Sequence, residues 1–177
     1  MSTNGEYLRF TPGELARALE DPEWALDFAS DVQDQEDEET APAEARHFTT
    51  HQTWNLLGFL LKRLAFPVDI VFGEELIPEA DDWGYEPPRY LTAYRVRLAA
   101  DKLSRMTYGE LIHGVDHKEL AAAEVYSQIW DSPTSLEWAR DLFIPLTEFF
   151  QAAASADHAM VIWLDRLPTA RTIHHKS

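Results

Sequence analysis

Cysteine is absent from all 177 residues. Its absence excludes disulfides, thiolate metal sites and a cysteine nucleophile. Glycine is scarce, at 7 residues, and none forms a phosphate-cradling loop or a Gly-x-Ser-x-Gly elbow. Positive charge is also short. Only 15 Lys and Arg stand against 31 Asp and Glu, a formal net charge of -16. Coulomb repulsion then argues against nucleic acid or an anionic membrane as a partner. Solubility alone is the commoner reason for such acidity, and a basic protein is the partner it would suit. Long hydrophobic runs are missing. The apolar run at 159–164 falls far short of the roughly 20 residues that cross a bilayer. The first six residues carry no basic n-region and no apolar h-region, so no signal peptide is expected and a cytoplasmic location is. No internal repeat is visible.

What is present reads as one domain. The length suits a single core, and the hydrophobic fraction of 45% is ordinary for a globular chain. The stretch 49–64 reads as a central buried helix. Trp54, Leu57, Leu61 and Leu64 share one helical face, and Leu56, Phe59 and Leu60 carry apolar surface nearly around it. Thr49 and Gln52 have capping-box spacing, and Lys62 and Arg63 suit the helix C-terminus.

Around that helix the chain divides in order. Tyr7-Leu8-Arg9-Phe10 predicts a first strand. Thr11-Pro12-Gly13-Glu14 combines a cap, a first-turn proline and a capping-box glutamate. Asp21-Pro22 repeats the cap-proline start ahead of Trp24, Leu26 and Phe28. Residues 31–44 then collect Asp31, Asp34, Glu36, Asp37, Glu38, Glu39 and Glu44 without a Lys or Arg. Such a block repels itself and buries little, which predicts an acidic mobile loop over 31–46. It is either a solvated insertion or a docking site for a basic partner.

Val68, Ile70 and Phe72 alternate up to Gly73, which predicts a second strand. Thr92 caps a helix running to Met106, with Val96, Leu98, Ala99 and Leu103 inward. Thr107-Glu110 and Asp116-Glu119 are further capping boxes. A helix over 121–129 follows, and Ser132-Pro133 opens a last long helix to about Ala154. Pro145 lies inside it, lacks an N–H and crowds the carbonyl of Asp141. The run 159–164 fits a strand buried on both faces, and 167–177 is a polar tail. The expectation is therefore a mainly helical α+β domain over 1–166. Its sheet is small and mixed, about three strands built from the Tyr7, Val68 and Ala159 segments.

Several of these stretches together resemble one family. They are Tyr7 to Pro12 with Glu14-Leu15, Asp21-Pro22-Glu23-Trp24, the Trp54 helix, and Val71-Phe72-Gly73-Glu74. Gly84-Tyr85, Pro88-Arg89-Tyr90-Leu91-Thr92, Glu124-Val125-Tyr126 with Trp130, and 159–164 follow in the same order. The chain resembles the YfbM-like bacterial proteins, a family defined as a domain of unknown function. The resemblance covers nearly the whole chain and implies a compact α+β fold, with no activity attached. Members often carry histidines in the central helix where this chain has Asn55 and Gly58, so chemistry tied to those histidines does not transfer.

Candidate chemistry is sparse. His113 and His117 are four apart, but Gly114 and Asp116 break the helix between them and no Glu follows His113, so no metal ligand set is complete. His174-His175 lies in the polar tail. No cofactor motif appears and no catalytic residue is assigned. The segment 83–90 is the candidate binding surface. Trp83, Tyr85, Arg89 and Tyr90 combine flat apolar area with polar ends, and Glu124 and Tyr126 are expected beside it, with Glu124 pairing Arg89. The same segment also reads as a proline-stiffened cover over the core. Two functions stay open. One is a non-enzymatic binding protein, an acidic inhibitor or immunity-type partner of a basic protein. The other is a small-molecule-binding protein or enzyme with a pocket near Tyr85 and Arg89.

Overall fold

Strand β1 (Thr3–Phe10) and strand β5 (Ala159–Arg166) pair antiparallel along their whole lengths, Thr3 opposite Arg166 and Phe10 opposite Ala159. They are the centre of the sheet in a computed structural model that describes residues 3–37, 39–84, 86–116, 118–119 and 133–166. Strand β2 (His47–His51) extends the β1 side. Strands β4 (Arg89–Leu91) and β3 (Glu75–Leu76) extend the β5 side. The order is β2-β1-β5-β4-β3, with every pairing antiparallel.

The helices among the described residues are α1 (Pro12–Glu20), α2 (Pro22–Gln35), α3 (Trp54–Arg63), α4 (Ala93–Ser104), α5 (Tyr108–Ile112) and α6 (Pro133–Ser155). Alternate residues of β1 and β5 serve opposite faces, because successive strand side chains point to opposite sides. Tyr7, Met160, Ile162 and Leu164 join the larger core with α3, α4 and α6. Leu8, Phe10, Ala159, Val161 and Trp163 join a second core with α1 and α2. The unbroken apolar run of β5 follows from this: both of its faces are covered.

Local signals set most helix starts. Thr11 and Glu14 form the expected capping box on α1, and Thr107 and Glu110 form another on α5. The Asp21 carboxylate accepts the Trp24 N–H, and the Thr92 hydroxyl accepts the Arg95 N–H. The Asp116 N–H donates to the Glu119 carboxylate, the glutamate half of the expected capping box.

Three expectations are corrected. The sheet has five antiparallel strands, not about three in mixed order, and the Val68 segment contributes none of them. Residues 67–73 are turns and bends. The Asp69 carboxylate accepts the N–H groups of both Val71 and Phe72 and bends the chain back on itself. The central helix begins at Trp54, not at Thr49. Thr49 and Thr50 pair with β1 instead, and the Thr50 hydroxyl donates to the Gly5 carbonyl. Finally, α2 continues through Gln35, so the first five residues of the expected acidic loop are helical. The Glu36 carboxylate then accepts the N–H groups of Arg46 and His47. The expected helix over 121–129 and the 167–177 tail lie outside the described residues.

Candidate functional site

The turn 67–74 builds a rigid wall. Besides the Asp69 clasp, the Tyr7 hydroxyl donates to the Ile70 carbonyl from inside the core at 2.7 Å. Burial pushes that tyrosine pKa strongly up, with Asp69 and Glu6 adding to the effect. Gly73 has φ +87, and a Cβ there would stand 2.7 Å from the Cβ of Arg89, so glycine lets β4 approach the turn. Arg95 reaches back from α4, donating to both Glu74 oxygens at 2.8 and 2.7 Å and to the Pro67 carbonyl. That hydrogen-bonded pair holds the Glu74 carboxyl below its ordinary pKa.

Phe72 stands on this wall, 39% exposed, with its ring edge-on to Trp54. On one side a cleft of about 450 Å³ is lined by Asp69, Phe72, Gly73, Glu74, Glu86 and Arg89. On the other, a groove of about 680 Å³ runs along α3 past Asn55, Gly58, Phe59 and Lys62 to Val68 and Val71. The two share Asp69, Phe72 and Glu74. Arg89 and Glu86 are half-buried, and neither side chain makes an ion pair or hydrogen bond among the described residues.

Of the residues singled out in segment 83–90, Trp83 and Tyr90 do not gather around Arg89. Trp83 is buried edge-on against Trp163, ring centroids 5.2 Å apart, in the core under α1 and α2. Tyr90 is half-buried against the same core, and that burial, with Glu75 nearby, raises its pKa. Strand alternation separates them from Arg89: Tyr90 shares a side with Val161, and Arg89 shares one with Ile162. Tyr85, Glu124 and Tyr126 lie outside the described residues, and so does the expected Arg89–Glu124 pair. Phe72 and Glu86 are the cleft residues that periodicity missed. Phe72 looked like a strand position, and Glu86 lies inside the candidate segment 83–90 without having been named in it.

A second concavity lies where α1 turns into α2. It is a groove of about 330 Å³ lined by Glu20, Asp21, Glu23, Glu79 and Asp81, with Leu19, Leu26 and Trp83 as apolar wall. Along the outer face of α2, Glu23, Asp27, Asp31 and Asp34 are all exposed. No basic residue occurs in the Pro22–Gln35 helix.

Of the expected pair His113 and His117, only His113 is among the described residues. His113 is exposed at the end of α5, its carbonyl accepting from Arg63, and His117, His174 and His175 lie outside the described residues. Among the described residues no three His, Asp or Glu side chains gather in metal-binding geometry. No described helix is long and apolar enough to cross a membrane.

The fold has a solved counterpart. The crystal structure of YfbM from Escherichia coli, a protein of unknown function, superposes with a TM-score of 0.58 at 17% identity. The match spans 92% of this chain and 99% of that one. At that identity the likeness speaks for the fold alone. No curated protein matches the chain. The family model described as "Domain of unknown function (DUF1877)" matches residues 1–163, and the chain belongs to that family of YfbM-like proteins.

Proposed function

We propose that the protein is a cytoplasmic, non-catalytic binding protein whose acidic face takes up a basic protein, in the manner of an inhibitor or immunity protein. The observation that carries this reading is the convergence of Glu20, Asp21, Glu23, Glu79 and Asp81 on one groove with an apolar wall. None of the five forms an ion pair among the described residues. A lysine or arginine side chain suits such a groove. Its aliphatic stem lies on Leu26 and Trp83 while its charged head meets the carboxylates. The exposed row Glu23, Asp27, Asp31 and Asp34 extends the same negative field along α2. Opposed fields of this kind speed encounter and make it salt-dependent.

The test is capture from a lysate of the source cells at low and high salt, followed by identification of what is bound. The reading expects a basic protein held at low salt, released at high salt, and lost by the combined Glu23→Gln, Asp27→Asn, Asp31→Asn and Asp34→Asn variant. Absence of any salt-sensitive basic partner defeats it. The cleft at Arg89 favours a second reading, a small-molecule-binding protein. Its support is the half-buried Arg89, which lines a cavity of about 450 Å³ with no acceptor for its side chain among the described residues, a size within the usual range for ligand clefts, roughly 300–1,000 Å³.

A further inference from the structure

We infer that the cleft between Phe72, Glu86 and Arg89 binds a free α-amino acid with an apolar side chain. The inference rests on the second reading, small-molecule binding at Arg89, and names the ligand of that site.

Two opposite charges of the cleft are unpaired among the described residues. Arg89 and Glu86 line the same cleft, and no ion pair joins them or ties either to another described residue. Half-buried charges of opposite sign that share a cavity gain by meeting partners. Among the described residues the guanidinium keeps its forked donors open and the carboxylate keeps its acceptors open.

The neighbouring charges are already committed. Both Glu74 oxygens accept from Arg95. One Asp69 oxygen accepts two backbone N–H groups. Among the described residues the cleft therefore offers one free cation and one free anion. A dianion such as phosphate would meet Arg89 but face the carboxylates of Asp69, Glu74 and Glu86. A simple cation would meet Glu86 but face Arg89. A zwitterion satisfies both: its carboxylate takes the guanidinium fork, and its ammonium takes Glu86.

An exposed aromatic ring on a mobile loop is unremarkable, but the loop of Phe72 is clasped by Asp69, Arg95 and the Tyr7 hydroxyl. Its ring is held at the boundary between the charged cleft and the groove of about 680 Å³ lined by Phe59, Val68 and Val71. An apolar amino-acid side chain passing Phe72 enters that groove, where flat apolar contact with the ring adds to burial.

The experiment is calorimetric titration of the full chain with L-phenylalanine, L-leucine, L-phenylalaninamide, N-acetyl-L-phenylalanine, 3-phenylpropionate and inorganic phosphate. The free amino acids are expected to bind. Masking either end of phenylalanine, or introducing Glu86→Gln or Arg89→Gln, lowers affinity about 10- to 100-fold, the usual worth of a charge-assisted hydrogen bond. Phe72→Ala serves as the variant of an exposed side chain, weakening binding of phenylalanine with an unchanged circular dichroism spectrum. If 3-phenylpropionate binds as tightly as phenylalanine and Glu86→Gln changes nothing, the amino-acid assignment is wrong while small-molecule binding at Arg89 stands. If no probe binds, both are wrong.

Discussion

Arg9 donates its Nε–H to His158 Nδ1 at 3.1 Å, locking the end of β1 to the turn that leads into β5. An accepting Nδ1 must carry its lone pair, so the imidazole is neutral with its proton on Nε2. The Arg9 Nη atoms donate to the carbonyls of Ala45 and Ala152, so the buried side chain is satisfied without a carboxylate hydrogen-bond partner among the described residues. Charging His158 would set a proton against that donor.

A pH dependence follows. Burial lowers the His158 pKa first, and the nearby Arg9 and Arg46 charges lower it further, against smaller opposing effects of Glu14 and Asp157. With the folded pKa below the unfolded one, the unfolded chain binds the proton more readily. The contribution of this residue to stability is therefore complete above about pH 6.5 and is lost as the pH falls from there through the lower folded value. Denaturant midpoints of wild type and His158→Gln, measured between pH 7 and pH 5, should show a shallower decline in the variant. Parallel curves would remove His158 from the pH response.

Glu36 is expected to matter more than any other carboxylate in the acidic segment. Its two oxygens accept the Arg46 and His47 N–H groups at 2.8 and 2.9 Å, so it ties the end of α2 to the start of β2. Glu36→Ala leaves both donors to find water, a loss of about 1–3 kcal/mol. Glu39→Ala, at an exposed position, should change stability by less than about 0.5 kcal/mol. Urea unfolding of the two variants compares them directly, and equal midpoints would mean that Glu36 is no anchor. Limited proteolysis with an acid-specific protease should cut first within 37–44, beyond the anchor, and spare α2.

Trp54 joins the core to the candidate cleft. It is 8% exposed, its indole N–H donates to the Thr3 carbonyl at 2.8 Å, and its ring meets Phe72 edge-on. Trp54→Ala should cost about 3–5 kcal/mol, as large core truncations do, and should free Phe72 as well. Trp54→Phe keeps most of the packing and loses the hydrogen bond, for about 1 kcal/mol. A Trp54→Ala midpoint equal to wild type in urea would place Trp54 outside the core.

The parts of the fold legible in the chain are those whose cause lies within a few residues. Thr11 with Glu14, Thr107 with Glu110, Asp21 with Pro22, and Thr92 each carry a helix start in their own side chains. The β5 run was legible as doubly buried because no polar residue interrupts it from 159 to 164. The segment 67–73 misled for a related reason. Val68, Ile70 and Phe72 keep strand periodicity, while the Asp69 clasp and the Tyr7 hydroxyl on Ile70 close a turn.

Arg89 could be singled out from the sequence because a charge set among prolines and aromatics is unusual. Its companions could not. Strand alternation turns Tyr90 away from Arg89, and Trp83 packs on Trp163, whereas Phe72 arrives from a separate loop because glycine at position 73 admits close contact. Sequence alone determined most of the helix caps, much of the apolar patterning and the large acidic excess, since capping, periodicity and charge are properties of neighbouring residues. Tertiary structure alone decided that Thr49 and Thr50 join a strand, that Glu36 is an anchor, and that Phe72, Glu86 and Arg89 share a cleft. Those outcomes depend on which distant backbone groups come within hydrogen-bonding reach, and that is set only when the β1–β5 pair brings the two ends of the chain together.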